Sequence, residues 1–313
     1  MQYIYGTTDI SQKKNSIVVL GNFDGVHIGH QKLFEVAAQK AEEERLQIVV
    51  FSFYPHPSWV IGNTPKPLLM SRRDKEETIK KFQVDVLIEY PFTTEFASIS
   101  AEKFFIEILM TQLRAKVIII GSNYFFGRKK EGNQYYLREL GQKYNCKVCI
   151  VDTVKIEGKT ISSSTIRDLI VKGDIETANK LLGHPYSVVG NVIQGKQLGR
   201  TIGFPTINIM AEPDRIYPPK GVYATKIHVY NRTYWGMTNI GYNPTVSGTD
   251  KMIETHIFDF DEQLYDQEVT IYFYRTIRPE QKFESLTLLA DQIKQDKEQV
   301  QTFFRSFEKS LDK

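Results

Sequence analysis

The sequence predicts an α/β fold in two parts: an N-terminal parallel sheet covered by helices, then a small antiparallel β-barrel domain with a terminal α-helix. Three observations lead there. Strand-like and helix-like stretches alternate through the first half, which implies β-α units and a parallel sheet. After residue 183 the pattern changes to short β-branched runs separated by Gly, Pro and Asn, a spacing shared by small barrels and sandwiches. Apolar residues then recur near helical spacing to the end. The 313 residues are about twice a typical domain of ~150, so two domains are expected.

Taken in order, residues 16–20 (SIVVL) are a short apolar strand ending at Gly21, and 31–45 have helical spacing. Residues 47–53 are β-branched and aromatic, hence a strand. A helix is expected over 72–82, with Ser71 and Asp74 at capping-box spacing, then a strand over 84–89. A helix over 101–113 follows Ser100, and 116–120 form a strand ending at Gly121. A helix over 133–143 and a strand over 147–151 complete the first sheet. Short helices follow over 165–172 and 175–182. The boundary falls in Leu182–Tyr186, within LLGHPY, where a helix-stopping Gly precedes a Pro, giving domains 1–183 and 184–313. Strands are expected over 186–193, 221–229, 233–240, 254–260 and 268–274. Phe283, Leu286, Leu289, Ile293, Val300 and Phe304 mark the closing amphipathic helix.

Composition narrows the function. With 40 basic and 37 acidic residues the net charge is +3, too balanced for a duplex nucleic-acid binder. The N-terminus MQYIYGTTDI lacks a signal-peptide pattern, and no apolar run approaches the ~20 residues that span a bilayer. A cytoplasmic protein without nucleic-acid or membrane partners is expected; the oligomeric state stays open. The two cysteines, Cys146 and Cys149, sit in a strand-like context where residues three apart face opposite ways, so a structural role is expected.

The segment GNFDGVHIGH, residues 21–30, carries the first chemistry. It follows an apolar strand and precedes a helix, and in open α/β sheets ligands bind at such strand ends. Gly21 and Gly25 let backbone approach phosphate closely, and the helix start offers N–H groups to an anion. His27 and His30, three apart, share a helix face and can point together at one phosphate. His56, between two prolines in FYPHP, is either functional or a loop-ordering residue. In the second half, GNVIQGKQ (190–197) is one residue from a P-loop. Gln197 lacks the hydroxyl needed for Mg²⁺, and the following LGRTIGFPT is turn-like, so the P-loop reading fails.

These residues carry a resemblance. GNFDGVHIGH resembles the HxGH motif of the nucleotidyltransferase superfamily, and its longer form resembles the FMN adenylyltransferase domain of bacterial bifunctional riboflavin kinase/FAD synthetases. Three further segments resemble that family: FYPHP (53–57), GSNYFFG (121–127) and ISSSTIR (161–167). The resemblance implies a Rossmann-like nucleotidyltransferase domain. Its catalytic residues would be His27 and His30 at the ATP α-phosphate, with Gly21, Phe23, Asp24 and Gly25 in the nucleotide turn. Ser163, Ser164 and Arg167 would hold the β- and γ-phosphates, and Asn123, Phe125, Tyr54 and His56 would bind flavin. Position 123 is Asn where many relatives have Asp, and Asn cannot act as a base. Position 164 is Ser where Thr is common, which keeps the hydroxyl.

GNVIQGKQLGRTIGFPTINI (190–209) resembles the riboflavin kinase signature, with Gly190, Gly195, Lys196, Gly199 and Gly203 as phosphate-binding residues. Its PTAN end is Pro205-Thr206-Ile207-Asn208 here, and Thr206 and Asn208 would supply oxygen ligands to Mg²⁺. NIGYNPT (239–245) and ETH (254–256) resemble later segments of that family, which makes Glu254 the general base for the riboflavin 5′-hydroxyl; His256 is read as structural. The resemblance implies a bifunctional enzyme, making FMN from riboflavin and FAD from FMN, with ATP as co-substrate and Mg²⁺ as cofactor. Two alternatives are a nucleotidyltransferase with another acceptor, which the kinase signature disfavours, and a flavin-binding regulatory protein without turnover, which the intact site residues disfavour.

Overall fold

A computed structural model describes residues 1–62, 65–156, 158–195, 197–245 and 248–311. It divides into two compact units, one of Met1–Leu68 and Arg72–Ser163, the other of Leu69–Ser71 and Ser164–Lys313.

The first unit is built on a six-stranded sheet of β1 (Gln2–Tyr5), β2 (Ser16–Leu20), β3 (Gln47–Tyr54), β4 (Val86–Pro91), β5 (Ala115–Gly121) and β6 (Lys147–Val151). Its order is β1-β4-β3-β2-β5-β6 and every pairing is parallel. β2 is buried at all of its positions, as a central strand covered on both faces must be. The chain runs from β2 to β3 on one side and β5 on the other, so the crevice between the ends of β2 and β5 is the topological switch point. β1 extends the expected sheet by one edge strand; only four residues long and exposed at both ends, it gave no extended apolar run to signal it. A small hairpin, β7 (Lys155–Ile156) and β8 (Lys159–Thr160), follows β6.

The expected helix over 101–113 begins with Ser100 accepting the Lys103 N–H, then continues as a π-helix over Phe104–Gln112. Leu113 N–H donates to Ile108 C=O, five residues back. Phe104, Phe105, Ile108 and Leu109 are all buried there, so core packing sets the winding. Cys146 and Cys149 are free thiols; Cys146 is packed in the sheet core, where burial pushes its thiol up to about 11.

The second unit holds β9 (Tyr186–Asn191), β10 (Ile207–Met210), β11 (Gly221–Val229), β12 (Arg232–Thr245), β13 (Gly248–Ile257) and β14 (Glu268–Pro279), in the order β10-β13-β12-β11-β14-β9, all antiparallel. An antiparallel bridge between Ile193 and Asn208 joins the two edges, so the sheet is a barrel. The stretch after Gln197, read from sequence as a turn, holds one helical turn, Leu198–Thr201. On one face Thr225, Thr238 and Thr255 are fully buried and link hydroxyl to hydroxyl at 2.9 Å each. The other face carries Val222, Ala224 and Met237, which pack on Val300 and Phe304 of the terminal helix Leu286–Leu311. Helix Ile175–Leu182 is tied to this unit by Asn179, which donates to Phe273 C=O at 2.8 Å and accepts from Tyr186 N–H at 2.7 Å.

Phe304 is fully buried and stacks on Trp235 with centroids 5.4 Å apart. Phe304→Ala should destabilise this unit by about 3–5 kcal/mol and shift Trp235 emission to the red. Urea unfolding followed by tryptophan fluorescence checks this.

Candidate active sites

Gly21 ends β2, and its N–H donates to Phe51 C=O at 3.2 Å. A Cβ there would stand 2.8 Å from the Phe23 ring, which folds back beneath the turn with φ of 52°. That ring is fully buried and meets the His30 ring edge-on, with centroids 5.2 Å apart. Phe23 therefore braces His30 from within the turn. Asp24 is buried, and its carbonyl accepts the Ser163 hydroxyl at 2.9 Å. Gly25 takes φ of 85°, the left-handed region that glycine adopts freely.

His27 is the N-cap of helix Ile28–Glu44, and its Nδ1 accepts the His30 N–H at 3.3 Å. A nitrogen that accepts carries no proton, so neutral His27 bears its proton on Nε2 and presents a donor there. The two rings stack with centroids 3.6 Å apart and planes 15° from parallel. Gly29 makes room for this arrangement: a Cβ would stand 3.1 Å from the His27 ring. His30 is partly exposed as a residue, yet its Nδ1 is buried and has no hydrogen-bond partner among the described residues. Burial first, then the His27 and Lys75 charges, hold its pKa well below 6.5. The site therefore presents a neutral His30 stacked on His27 at a helix N-terminus, an arrangement suited to donating hydrogen bonds to phosphate oxygens as charge builds.

Ser163 opens helix Ser163–Lys172, which also carries Ser164, exposed, and Arg167, buried. Asn123 follows β5, on the far side of the switch point from Gly21; it is exposed, and its Oδ1 lies against Gly121. Phe125 is 54% exposed, whereas its neighbour Phe126 is buried, so Phe125 is the ring free to meet a flat ligand. Tyr54, 38% exposed, lies under the Arg72 guanidinium at 4.4 Å. His56 caps the single turn Pro57–Val60: its Nδ1 accepts the Ser58 N–H at 3.2 Å and meets the Ser58 hydroxyl at 2.8 Å. The loop-ordering reading of His56 thus has a physical basis.

In the barrel, Asn208 on β10 stands directly opposite Glu254 on β13, which stands opposite Asn239 on β12. Directly opposed residues share a face, so these three polar side chains form a row. Asn208 is buried, and its Oδ1 has no hydrogen-bond partner among the described residues. A Cβ at Gly195 would overlap the Asn208 amide, and one at Gly190 would overlap Ile209. Both glycines therefore serve the barrel seam, and Gly195 also places Asn208. Gly199 lies in the turn Leu198–Thr201 close to Phe204 C=O, and Gly203 takes φ of 84°. Lys196 lies outside the described residues. Thr206 is partly exposed immediately before β10. His256, two residues from Glu254 and on its face, meets Pro205 C=O through Nδ1 at 2.8 Å. A carbonyl only accepts, so Nδ1 carries the proton. The bond ties β13 to the turn that holds Thr206.

Sequence reasoning missed Gly29 beside the histidines, Asn239 beside Glu254, and the contact of Ser52 with Lys75 and Glu89. Gly29 and Asn239 lie inside segments already singled out. Ser52, Lys75 and Glu89 carry no local signal, since isolated charges in strand and helix read as solvated surface.

Comparison with known proteins fits this geometry. Residues 9–165 match the FAD synthetase family model, and residues 182–304 match the riboflavin kinase model. A bifunctional riboflavin kinase/FMN adenylyltransferase of Listeria monocytogenes is 39% identical over 96% of each chain. A Bacillus subtilis protein of the same description is 38% identical over 95% of each. A crystal structure described as a macrolide-efflux protein from Streptococcus pneumoniae is 34% identical, with a TM-score of 0.88 over 96% of this chain and 99% of that one. The chain belongs to the bifunctional riboflavin kinase/FMN adenylyltransferase family.

Proposed function

We propose that this chain makes FMN and then FAD: it phosphorylates riboflavin with ATP and adenylylates the FMN with a second ATP, releasing pyrophosphate. The observation that carries this is the presence of two separate polar sites, each in a segment matched by one of the two family models. Adenylylation is assigned to residues 1–183 and phosphorylation to 184–313. The working compartment proposed is the cytoplasm. An efflux role has no support here: among the described residues no helix is long and apolar enough to cross a membrane.

For adenylyl transfer, FMN phosphate oxygen attacks the ATP α-phosphorus, and pyrophosphate leaves. FMN phosphate is already an anion, so no base is required of Asn123. His27 Nε2–H and the neutral His30 ring would donate to the α-phosphate oxygens as charge accumulates, while the free N–H groups at the helix start add a positive field. Ser163, Ser164 and Arg167 would hold the leaving phosphates as two hydroxyl donors and one fixed cation. Phe125 and Tyr54 are exposed rings suited to the isoalloxazine.

For phosphorylation, Glu254 would take the proton of the riboflavin 5′-hydroxyl as that oxygen attacks the γ-phosphorus. Mg²⁺ fits beside it, since the buried Asn208 Oδ1 lacks a hydrogen-bond partner among the described residues and Thr206 offers a second oxygen. When bound, the ion would neutralise phosphate charge. Asn239 completes the row and would orient Glu254.

Glu254→Gln should lower FMN formation by about 10²–10⁴-fold and leave FMN-to-FAD conversion intact, measured by chromatography of the flavins. Replacing both His27 and His30 by Ala should do the reverse, with FAD formation falling at least about 100-fold. Loss of both steps in either folded variant would overturn the assignment of one reaction to each part. NMR of the imidazole nitrogens should find His30 neutral at about pH 6, where a free histidine is mostly protonated. The sign follows from linkage: the folded pKa lies below 6.5, so His30's contribution to stability is complete above about pH 6.5 and is lost as pH falls through the folded value.

A further inference from the structure

The most heavily charged buried cluster in the first unit lies outside the residues given a role above. Glu89 on β4 has a fully buried side chain and stands directly opposite Ser52 on β3. Helix Arg72–Ile79 places Arg72 and Lys75, three apart, on the face toward it. Arg72 Nε donates to Glu89 Oε2 at 2.9 Å, and the Tyr3 hydroxyl donates to the same oxygen. Lys75 Nζ donates to Glu89 Oε1 at 2.8 Å and to the Ser52 hydroxyl at 3.4 Å. Burial alone would push the Glu89 carboxyl up, but Lys75, Tyr3 and Arg72 outweigh it and hold the group below its ordinary range.

Two features are more than a buried carboxylate needs. First, the charges do not cancel: Glu89 faces two cations, and neither has a second carboxylate among the described residues. Lys75 is buried beside Glu89, and its charge acts on His30. Second, the hydrogen bonds run in one direction toward the nucleotide turn. Lys75 donates to Ser52, and Ser52 donates to Asn22 C=O at 3.0 Å. Asn22 sits between Gly21 and Phe23, in the turn that leads into His27.

The geometry points to Lys75 as a positioning residue for adenylyl transfer: held by Glu89, it fixes the turn at residues 21–25 through Ser52 and sets a positive charge beside that turn. That charge suits an anionic nucleotide and an anionic leaving group. Arg72 does not duplicate this role, because its guanidinium is held on Glu89 and Tyr3 and lies against the Tyr5 and Tyr54 rings, 4.4 Å from each.

The inference rests on the adenylylation reading, and the test separates the two. Full-length wild type, Lys75→Met, Lys75→Arg and the double variant Lys75→Met/Glu89→Gln are each assayed for FMN-to-FAD and riboflavin-to-FMN conversion. If wild type makes no FAD, the functional reading falls. If wild type makes it, Lys75→Met should lower kcat for FAD formation by about 100-fold, leave KM for FMN near wild type, and leave riboflavin phosphorylation intact. Lys75→Arg, which keeps the charge and donors, should recover part of the rate. The double variant is decisive, because it removes the cation without orphaning a buried carboxylate. It should stay as slow as Lys75→Met. Recovery of FAD formation in the double variant would show that Lys75 only neutralises Glu89 and would overturn the proposal, as would a wild-type rate in Lys75→Met. If Lys75→Met fails to fold, the double variant still decides.

Discussion

In helix Ile28–Glu44, the His27 ring stands where a side chain at the second residue, Gly29, would crowd it. That space lets the ring stack on His30 and lets Nδ1 reach the His30 N–H. The same steric condition recurs at Gly21, whose missing side chain leaves room for the Phe23 ring that braces His30. It recurs again at Gly195, over the Asn208 amide. Interiors pack so closely that a single carbon decides whether such a group fits. These glycines serve chiefly as spaces for functional side chains, and the φ of Gly25 and Gly203 covers the separate need for left-handed backbone.

Given that packing, electrostatics defines what each site can do. His30 is kept neutral by burial and by neighbouring positive charge, so it donates a hydrogen bond without carrying a fixed charge of its own. Positive charge comes instead from Lys75 and Arg72 around Glu89, and from the helix N-terminus. In the barrel the polar row is arranged differently. Asn208 and Asn239 flank Glu254 with neutral amides, and the buried Asn208 oxygen has no hydrogen-bond partner among the described residues.

The two folds bring their sites together by different means. In the parallel sheet the switch point between β2 and β5 opens a crevice with Gly21 and Asn123 on its two sides. In the barrel the site lies at the seam, where the bridge between Ile193 and Asn208 joins the first and last strands of the sheet. Closing that seam is what brings the segment after β9 onto β10, and so Gly195 onto Asn208.

The sequence by itself determined the two fold types and most strands and helices, because periodicity and turn residues carry that signal locally; it nominated His27 and His30 by helix spacing, and Thr206, Asn208 and Glu254 through motif resemblance. It also carried the family resemblance. It did not show the edge strand β1, which is four residues long and exposed at both ends, or the π-winding of Phe104–Gln112, which core packing sets. Only the tertiary structure decided that Phe23 is a brace, that Gly190 and Gly195 serve the barrel seam, and that Lys75, Ser52 and Glu89 stand together beneath the histidine turn. Those residues are far apart in sequence, and their charges read as solvent-facing until strand pairing and helix packing bury them. The physical reason is that contact and burial are properties of the assembled sheet, whereas motif and periodicity are properties of the chain.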